Sequence, residues 1–393
     1  MHPGTIWSNR LKAVAFAFGL VLSLFSALNW WSIYDRHAPP CSPECAADFV
    51  TFYTAAKLLV DHPAALYDLD HQFADQKRIA PSQEVLPFVY PPITAMLMAP
   101  LAWLPFSNAF LAMTLLNGTL LWLSLRNLIH QLSLSQDQSH WLILFTLCNY
   151  GVHQVFYQAQ VSVIILFFLT QYILSQKQGN DGRAGAWAGL LCVKPQFFPM
   201  PCFYLFLQGR WRGLMVGIFV STALTIGAFF LVGAEATQHF FLLLQRMMTN
   251  DHDWWNQARS MHNLRALAVY WLPPEAQAYF WWSSCGLVIS LVVWINLRAR
   301  QRPDTFAACW ITNMIGLLLV SPHLFAHDLT ILILPCALFL VRFKKSVPAP
   351  VGMSLTCVAA LPILNQSLPT ITATALLSLF LLHFRSTAAT LTR

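Results

Sequence analysis

The stretch GLMVGIFVSTALTIGAFFLV at residues 213–232 carries no charged side chain. Its length matches the roughly 20 apolar residues that a helix needs to cross the hydrocarbon core of a bilayer. The whole chain shares this character, since 57% of its 393 residues are hydrophobic and only 10% are charged, with a mean hydropathy of +0.54. Soluble domains carry roughly 25% charged residues. The composition therefore indicates an integral membrane protein.

Backbone groups in lipid must be hydrogen-bonded within helices or within a closed barrel. The long apolar runs, which lack strand-like alternation, exclude the barrel. We therefore predict an all-α, polytopic membrane helical bundle, one domain over residues 1–393, with about 11–13 membrane segments. Segment 92–104 is interrupted by Pro100, which predicts a short re-entrant or interfacial helix. Hydropathy and helix-breaking residues place the other segments at 13–33, 106–125, 141–152, 161–175, 184–195, 197–208, 213–232, 278–297, 305–320, 329–341, 347–364 and 367–384.

The charges follow one consistent alternation across these segments. If the N-terminus is cytoplasmic, fifteen of the 23 basic residues lie on the inner side with only three acids, Asp137, Asp181 and Asp304. This bias is the positive-inside pattern, and it predicts that both termini are cytoplasmic. It also explains the net charge of +7, so the charge does not indicate a nucleic-acid partner.

Most polar stretches then lie on the outer side. The outer loop 34–91 contains a helical pattern over 48–60, which predicts an amphipathic interfacial helix beginning at Asp48. An Asp at that position can simply cap the helix. It can also be functional, because an ionisable residue beside a membrane segment is costly and often marks a site.

Three further ionisable residues lie on the outer side. Lys194 interrupts an apolar stretch and suits an anionic head group, although a lysine reaching for the interface is an equal alternative. His323 and His327 are four residues apart, a spacing that on one helix could hold a metal. No third ligand with motif-like spacing follows, so we expect no metal. The two imidazoles could instead donate hydrogen bonds to a phosphate or a sugar. The alternative is that they are ordinary hydrogen-bonded histidines at the interface.

Motifs of other enzyme classes are missing. The sequence contains no P-loop, no glycine-rich dinucleotide fingerprint and no G-x-S-x-G elbow, so no cofactor is expected. Cys41 and Cys45, in the outer loop near Asp48, are close enough in sequence for a local disulfide.

Several motifs together resemble glycosyltransferase family 87, of the GT-C class of integral membrane glycosyltransferases. The resemblance runs from about residue 48 to 341, over most of the chain. Its carriers are DFVTFYTAAKLL (48–59), ALYD (65–68), PFVYPPITAMLMAPLAWLP (87–105), YQAQVSVIILFFL (157–169), AGLLCVKPQ (188–196) and SPHLFAHDLTILILP (321–335). Two features depart from the family: its usual Gly-Gln turn is Ala159-Gln160 here, and no large soluble domain follows the last segment.

The resemblance implies a function. By position, Asp48 would be the general base, and the donor would be a polyprenyl-phosphate sugar, as in the mannosyltransferases of this family. The expected reaction transfers a mannose-like hexose to a lipid-linked or cell-envelope glycan acceptor, outside the bacterial inner membrane. Lys194, His323 and His327 are the predicted phosphate-binding residues. The predicted substrate-binding residues are Tyr53, Tyr90, Gln160, Gln196, Asn263 and Asp328.

Two other classes compete with this interpretation. A polyprenyl-lipid flippase or transporter would need polar residues near the bilayer midplane and at both faces, often with internal repeats. No such repeat is visible in this sequence, and its polar residues cluster on one side. An O-antigen polymerase or ligase also acts outside on lipid-linked sugars, but a large outer loop would come late in its chain. Here the largest outer loop comes first.

Overall fold

A computed structural model describes residues 3–34, 47–81, 85–248, 258–300, 302, 305–343, 346–366 and 370–391. The described residues form helices and turns, without strands. The predicted Cys41–Cys45 pair lies outside them. The α-helices are α1 (Pro3–Tyr34), α2 (Ala47–Asp61), α3 (Leu69–Ile79), α4 (Pro92–Met98), α5 (Phe106–Gln131), α6 (Gln136–Cys148), α7 (Tyr150–Gln158), α8 (Ser162–Lys177), α9 (Asp181–Gly189), α10 (Pro199–Leu207), α11 (Trp211–Met248), α12 (Leu264–Trp271), α13 (Pro274–Ala299), α14 (Phe306–Val320), α15 (Ile333–Leu340), α16 (Ala349–Ala360) and α17 (Ile371–Leu391).

Three helices are long and apolar enough to cross a membrane among the described residues: α5, α11 and α13. The predicted segments 106–125, 213–232 and 278–297 lie within them, and several shorter apolar helices surround them. These helices confirm the prediction of an all-helical, polytopic membrane protein.

Helix α11 bends at Gly233, whose φ of 86° lies in the left-handed region that glycine tolerates best. The predicted segment ends at residue 232, one residue before this bend. Beyond the bend, Ala236, Phe240 and Leu243 continue as a buried face, and the Phe240 ring lies 4.9 Å from that of Tyr67. The end of α11 thus packs against the segment that follows α2.

Short 3₁₀ helices interrupt the bundle at the positions where polar residues occur. They cover Leu190–Val193, Pro195–Phe197 and Ala326–Leu332. The predicted break near Pro100 is confirmed, because α4 gives way there to a 3₁₀ helix over Ala99–Trp103. Such interruptions leave backbone groups that neighbouring side chains must satisfy.

Helix α2 is the predicted 48–60 helix, with bounds Ala47–Asp61. Ten of its residues between Ala47 and Leu58 are buried, on every face of the helix. Its aromatic side chains pack on other aromatic rings; the Phe49 ring lies 5.3 Å from that of Phe110. The chain itself thus encloses the start of α2, and its placement at the membrane interface stays a prediction.

Candidate active site

Four segments that are far apart in sequence converge on one polar cluster. They are the first turn of α2, the turn after α7, the junction between the 3₁₀ helices 190–193 and 195–197, and the 3₁₀ helix Ala326–Leu332. We call this group the outer cluster, after the side of the membrane that the sequence predicts for it; its members are Asp48, Gln160, Ser162, Lys194, His327 and Asp328.

Asp48 is the most accessible acid of the outer cluster. Its side chain is 21% exposed, and its Oδ2 accepts a hydrogen bond from Gln160 Nε2 at 3.0 Å. His327 Nδ1 lies 3.9 Å from the same oxygen. Asp48 is the second residue of α2, not the residue before it, so the carboxylate also lies at the positive end of the helix dipole.

Gln160 is held in place by hydrogen bonds from Asn117 and from the next residue, Val161. Its carbonyl accepts from Asn117 Nδ2 at 3.0 Å, and its Oε1 accepts from the Val161 amide at 2.9 Å. The preceding Ala159 has φ 45°, ψ 47°, a left-handed conformation that costs a non-glycine residue about 1–2 kcal/mol. The turn therefore keeps a glycine-like shape with alanine, and it directs the Gln160 amide at Asp48.

Lys194 and Asp328 form a buried ion pair. Lys194 Nζ lies 2.5 Å from Asp328 Oδ1, and the two side chains are 2% and 1% exposed. Ser162 Oγ donates to the same Asp328 oxygen at 2.8 Å and accepts from Lys194 Nζ at 3.3 Å. Because each charge has an opposite partner and a further hydrogen bond, both can remain ionised away from water.

His327 lies between the two carboxylates. Its Nε2 is 3.7 Å from Asp328 Oδ2, while its Nδ1 faces Asp48. The Tyr90 ring lies nearby, with its centroid 6.0 Å from Lys194 Nζ. The arrangement links the exposed acid at one end to the buried ion pair at the other through one imidazole.

His323 does not share a helix with His327, as a metal-binding pair at that spacing would require. It lies in the loop before the 3₁₀ helix Ala326–Leu332, which carries His327. Within the described ranges, no group of three His, Cys, Asp or Glu side chains is placed to hold a metal. The ring of Phe325 is 6.4 Å from that of His323 and 5.9 Å from that of His327.

Two histidines in loops outside the helices are kept neutral. Burial, together with the positive charge of Arg265, lowers the pKa of His323 to about 4. Burial and the neighbouring His327 lower the pKa of His262 to about 4. Neutral imidazoles can each donate one hydrogen bond and accept another, so neither adds a positive charge near pH 7.

Three predicted substrate-binding residues donate hydrogen bonds to backbone carbonyls. Tyr53 donates its hydroxyl to the Leu104 carbonyl at 2.8 Å. Gln196 donates to the His323 carbonyl at 2.9 Å. Asn263 donates to the Ser321 carbonyl at 2.7 Å while its Oδ1 caps α12. Gln196 and Asn263 thus hold the loop that carries His323.

The sequence did not single out Ser162, His262 or Arg265. Ser162 begins α8 as an ordinary first-turn serine would, so nothing in its position marks the hydrogen bond to Asp328. Arg265 follows the predicted Asn263 by two residues, and its guanidinium lies 5.8 Å from the centre of the Trp281 ring. Only their position in the folded chain relates these residues to the outer cluster.

The fold is that of a polytopic membrane protein, and the outer cluster is a group of ionisable and polar side chains buried or partly buried within it. Residues 88–322, more than half of the chain, match the sequence pattern of Glycosyltransferase family 87. The chain belongs to that family. Membership in a family of glycosyltransferases favours the enzyme over the transporter. Tyr90, Gln160 and Lys194 lie within the matched region, and Asp48 and His327 lie outside it.

A curated relative supports the class. The chain is similar to an alpha-(1->3)-arabinofuranosyltransferase of Corynebacterium glutamicum, with 23% identity over 289 residues, covering 70% of this chain and 61% of that protein. The chain thus spans less than two thirds of the relative's length. No solved structure matches the sequence.

Proposed function

We propose that the chain transfers a sugar, a mannose-like hexose, from a polyprenyl-phosphate donor to a lipid-linked or cell-envelope glycan on the outer side of the bacterial inner membrane. The acceptor hydroxyl would give its proton to a carboxylate as its oxygen attacks the anomeric carbon. The bond from that carbon to the phosphate oxygen would break, and the electron pair would leave with the phosphate. Such a reaction needs one base and donors that hold the leaving phosphate.

The observation that carries the proposal is the accessible carboxylate of Asp48 beside buried polar partners. Gln160 occupies Oδ2, which fixes the orientation of the carboxylate and leaves Oδ1 facing away from that hydrogen bond. A base must be within hydrogen-bond reach of the proton that it removes. Asp48, alone among the acids of the outer cluster, combines such access with a fixed orientation.

The phosphate side of the proposed site consists of Lys194, His327 and His323. An ammonium has three N–H donors. Among the described residues, Asp328 and Ser162 accept two of those of Lys194, so one remains for a phosphate oxygen. Arg265, whose charge acts on His323, extends this positive region. Asp328 would keep Lys194 charged in its buried position.

A lipid-linked donor also needs an apolar surface for its chain. A groove of about 540 Å³ lies between α10, α13 and α14. Pro199 and Val320 line one end of it, and these residues adjoin the segments that carry Lys194 and His323. We propose that the isoprenoid chain lies in this groove, with its phosphate at the outer cluster.

The outward orientation rests on the charges. Residues predicted to be cytoplasmic contact one another: Lys12 pairs with Asp137, and Arg210 pairs with Asp181. The outer cluster contains none of them. With the basic-rich end in the cytoplasm, the outer cluster faces outward.

A donor assay tests the reaction. Membranes that contain the protein would receive radiolabelled polyprenyl-phosphate mannose, glucose or arabinose, and the labelled product would be identified. We expect transfer from the mannose donor, with the empty-vector membrane as the control. Transfer from the arabinose donor alone would change the sugar to that named for the relative. Transfer from none of the three would overturn the donor class.

The groove is tested by a bulky substitution on its rim. Ile289 lines the groove and is exposed, so Ile289→Trp would fill it with little effect on folding. Leu287→Trp, an exposed position on the same helix outside the groove, is the matched control. We expect only Ile289→Trp to raise the KM for the long-chain donor. An equal KM in both variants would remove the groove from the proposal.

A further inference from the structure

A second cavity runs along α15, from Leu332 to Arg342. It has a volume of about 290 Å³ and lies between α6, α14, α15, α16 and α17. Apolar side chains form most of its wall, among them Phe145, Ile315 and Leu355. The polar residues at its rim are Arg342, His383 and Ser386.

The neighbours of Arg342 show at which end of the bundle the polar rim of the cavity lies. Arg342 follows α15, and the adjacent Phe343 carbonyl accepts a hydrogen bond from Gln138. The next residue along α6, towards its start, is Asp137, which pairs with Lys12. The eight residues of α15 place Arg342 about 12 Å from the end of the 3₁₀ helix that carries Asp328. None of the residues that line the cavity belongs to the outer cluster. The cavity is therefore not part of the proposed transfer site.

The guanidinium of Arg342 is a positive charge at the rim of an otherwise mostly apolar cavity. It lies 5.7 Å from the centre of the Phe339 ring, and within the described residues no carboxylate lies within ion-pair distance of it. In the sequence it begins the basic run Arg342, Lys344, Lys345. A cation at the rim and an apolar interior together suit an amphiphile with an anionic head.

The outer wall of the cavity faces the surroundings of the bundle. Leu382 lines the cavity and is also exposed, as is its neighbour Leu381. In a membrane these side chains meet acyl chains, so a lipid can enter from the side without crossing the protein. His383 is fixed by its Nε2, which donates to the Ala308 carbonyl at 3.0 Å, so the polar rim is preformed.

We propose that this cavity binds an anionic membrane phospholipid, with one acyl chain inside and its phosphate at Arg342. Basic pockets between membrane helices on the cytoplasmic side commonly bind such head groups. The site is separate from sugar transfer, so the experiment below measures binding alone and leaves the transfer proposal independent of its result.

The test counts lipids on the purified full-length protein by native mass spectrometry. The protein in detergent would be incubated with dioleoylphosphatidylglycerol, dioleoylphosphatidylcholine or oleate, which share the same acyl chain. We expect one phosphatidylglycerol to remain bound and phosphatidylcholine to be lost. Equal retention of both phospholipids, or retention of oleate alone, would overturn the proposal.

Two variants locate the lipid. Arg342→Gln removes the cation at an exposed position and should lower phosphatidylglycerol occupancy by about tenfold, as expected for one lost charged contact. Arg126→Gln is the control, because Arg126 also lies over an aromatic ring of its own helix, at 5.6 Å from Trp122, but does not line the cavity. An unchanged occupancy in Arg342→Gln would overturn the site.

Leu355→Trp tests the acyl-chain half of the proposal, since it fills the cavity and leaves Arg342 in place. It should abolish phosphatidylglycerol retention while the protein stays monodisperse. Retention in this variant would mean that the lipid binds elsewhere. If Leu355→Trp does not fold, the Arg342→Gln comparison decides alone.

Discussion

Two ion pairs at opposite ends of the bundle use the same kinds of groups under different conditions. Lys194 and Asp328 are 2% and 1% exposed, whereas Arg210 and Asp181 are 31% and 30% exposed. The second pair can exchange with water and is screened by salt, so it contributes little. The first pair is shielded from water, so each charge needs the opposite charge of its partner to remain ionised.

The difference indicates where the fold places costly groups. A buried ion pair is weak evidence for stability, because its desolvation can exceed the attraction between the charges. The outer cluster nevertheless adds a histidine and a second carboxylate next to the pair. Perturbed, clustered ionisable groups of this kind are typical of functional sites. The Lys12–Asp137 and Arg210–Asp181 pairs show no such clustering within the described part of the chain.

The largest expected effect is on catalysis at Asp48. Asn keeps a hydrogen-bond acceptor for Gln160 but accepts no proton, so Asp48→Asn should lower turnover by roughly 10²–10⁴. Its thermal stability should fall by no more than about 1 kcal/mol, because Asn lacks only the attraction between the carboxylate charge and the helix dipole. Initial rates with the labelled donor would measure the first and a thermal-shift assay the second.

Asp61, exposed at the end of the same helix, provides the control, and Asp61→Asn should transfer sugar normally. A near-normal rate for Asp48→Asn would leave Asp48 as a helix-end residue without a part in the reaction.

The next largest effect is on stability at the buried pair. Lys194→Ala leaves Asp328 charged and buried without its cation, which should cost about 3–5 kcal/mol. The double variant Lys194→Met/Asp328→Leu removes both charges and should be much closer to the natural protein in stability. Denaturation followed in detergent would compare the variants.

If the single and double variants lose stability equally, the pair does not behave as a coupled buried unit. A sugar-transfer assay on the double variant separates stability from function. We expect it to fold and to use the donor poorly, because the phosphate contact of Lys194 is gone.

Acid should destabilise the protein through His262 and His323. The pKa of each is about 4 in the folded chain, against about 6.5 in an unfolded chain. Between pH 6.5 and 4 the unfolded chain therefore binds more protons, and the free energy of unfolding falls as pH falls. Each histidine should account for a loss on the order of 3 kcal/mol across this window.

Thermal-shift curves from pH 7 to pH 4 would measure the loss. His262→Gln removes the buried imidazole and should flatten the pH dependence. Parallel curves for the natural protein and His262→Gln would contradict the role given to burial at this position.

The smallest expected effect is on stability at the Arg210–Asp181 pair. Arg210→Gln removes an ion pair whose two side chains are about one-third exposed. It should lower the free energy of unfolding by no more than about 1 kcal/mol. The same denaturation measurement applies, with added salt as a second check, since salt should weaken this pair. A loss as large as that of Lys194→Ala would remove the contrast between the two ends.

Much of the molecule followed from periodicity and composition. The uncharged run at 213–232 was enough to predict a membrane helix, because local apolar length decides that property. Pro100 predicted the break after α4 for an equally local reason. Asp48, Gln160, Lys194 and His327 were predicted to share one side, and the structure brings them into one cluster.

Other features depended on contacts between distant segments. The sequence predicted Lys194 and Asp328 as separate ligand contacts, and only the structure pairs them across 134 positions of the chain. It also could not reveal that Tyr53 donates to a carbonyl of another segment, or that Ser162 reaches Asp328. Local patterns in a sequence determine which segments are helical and apolar. Which buried polar atom meets which partner depends on how those helices pack, because a desolvated group must find its partner among whatever residues the fold places beside it.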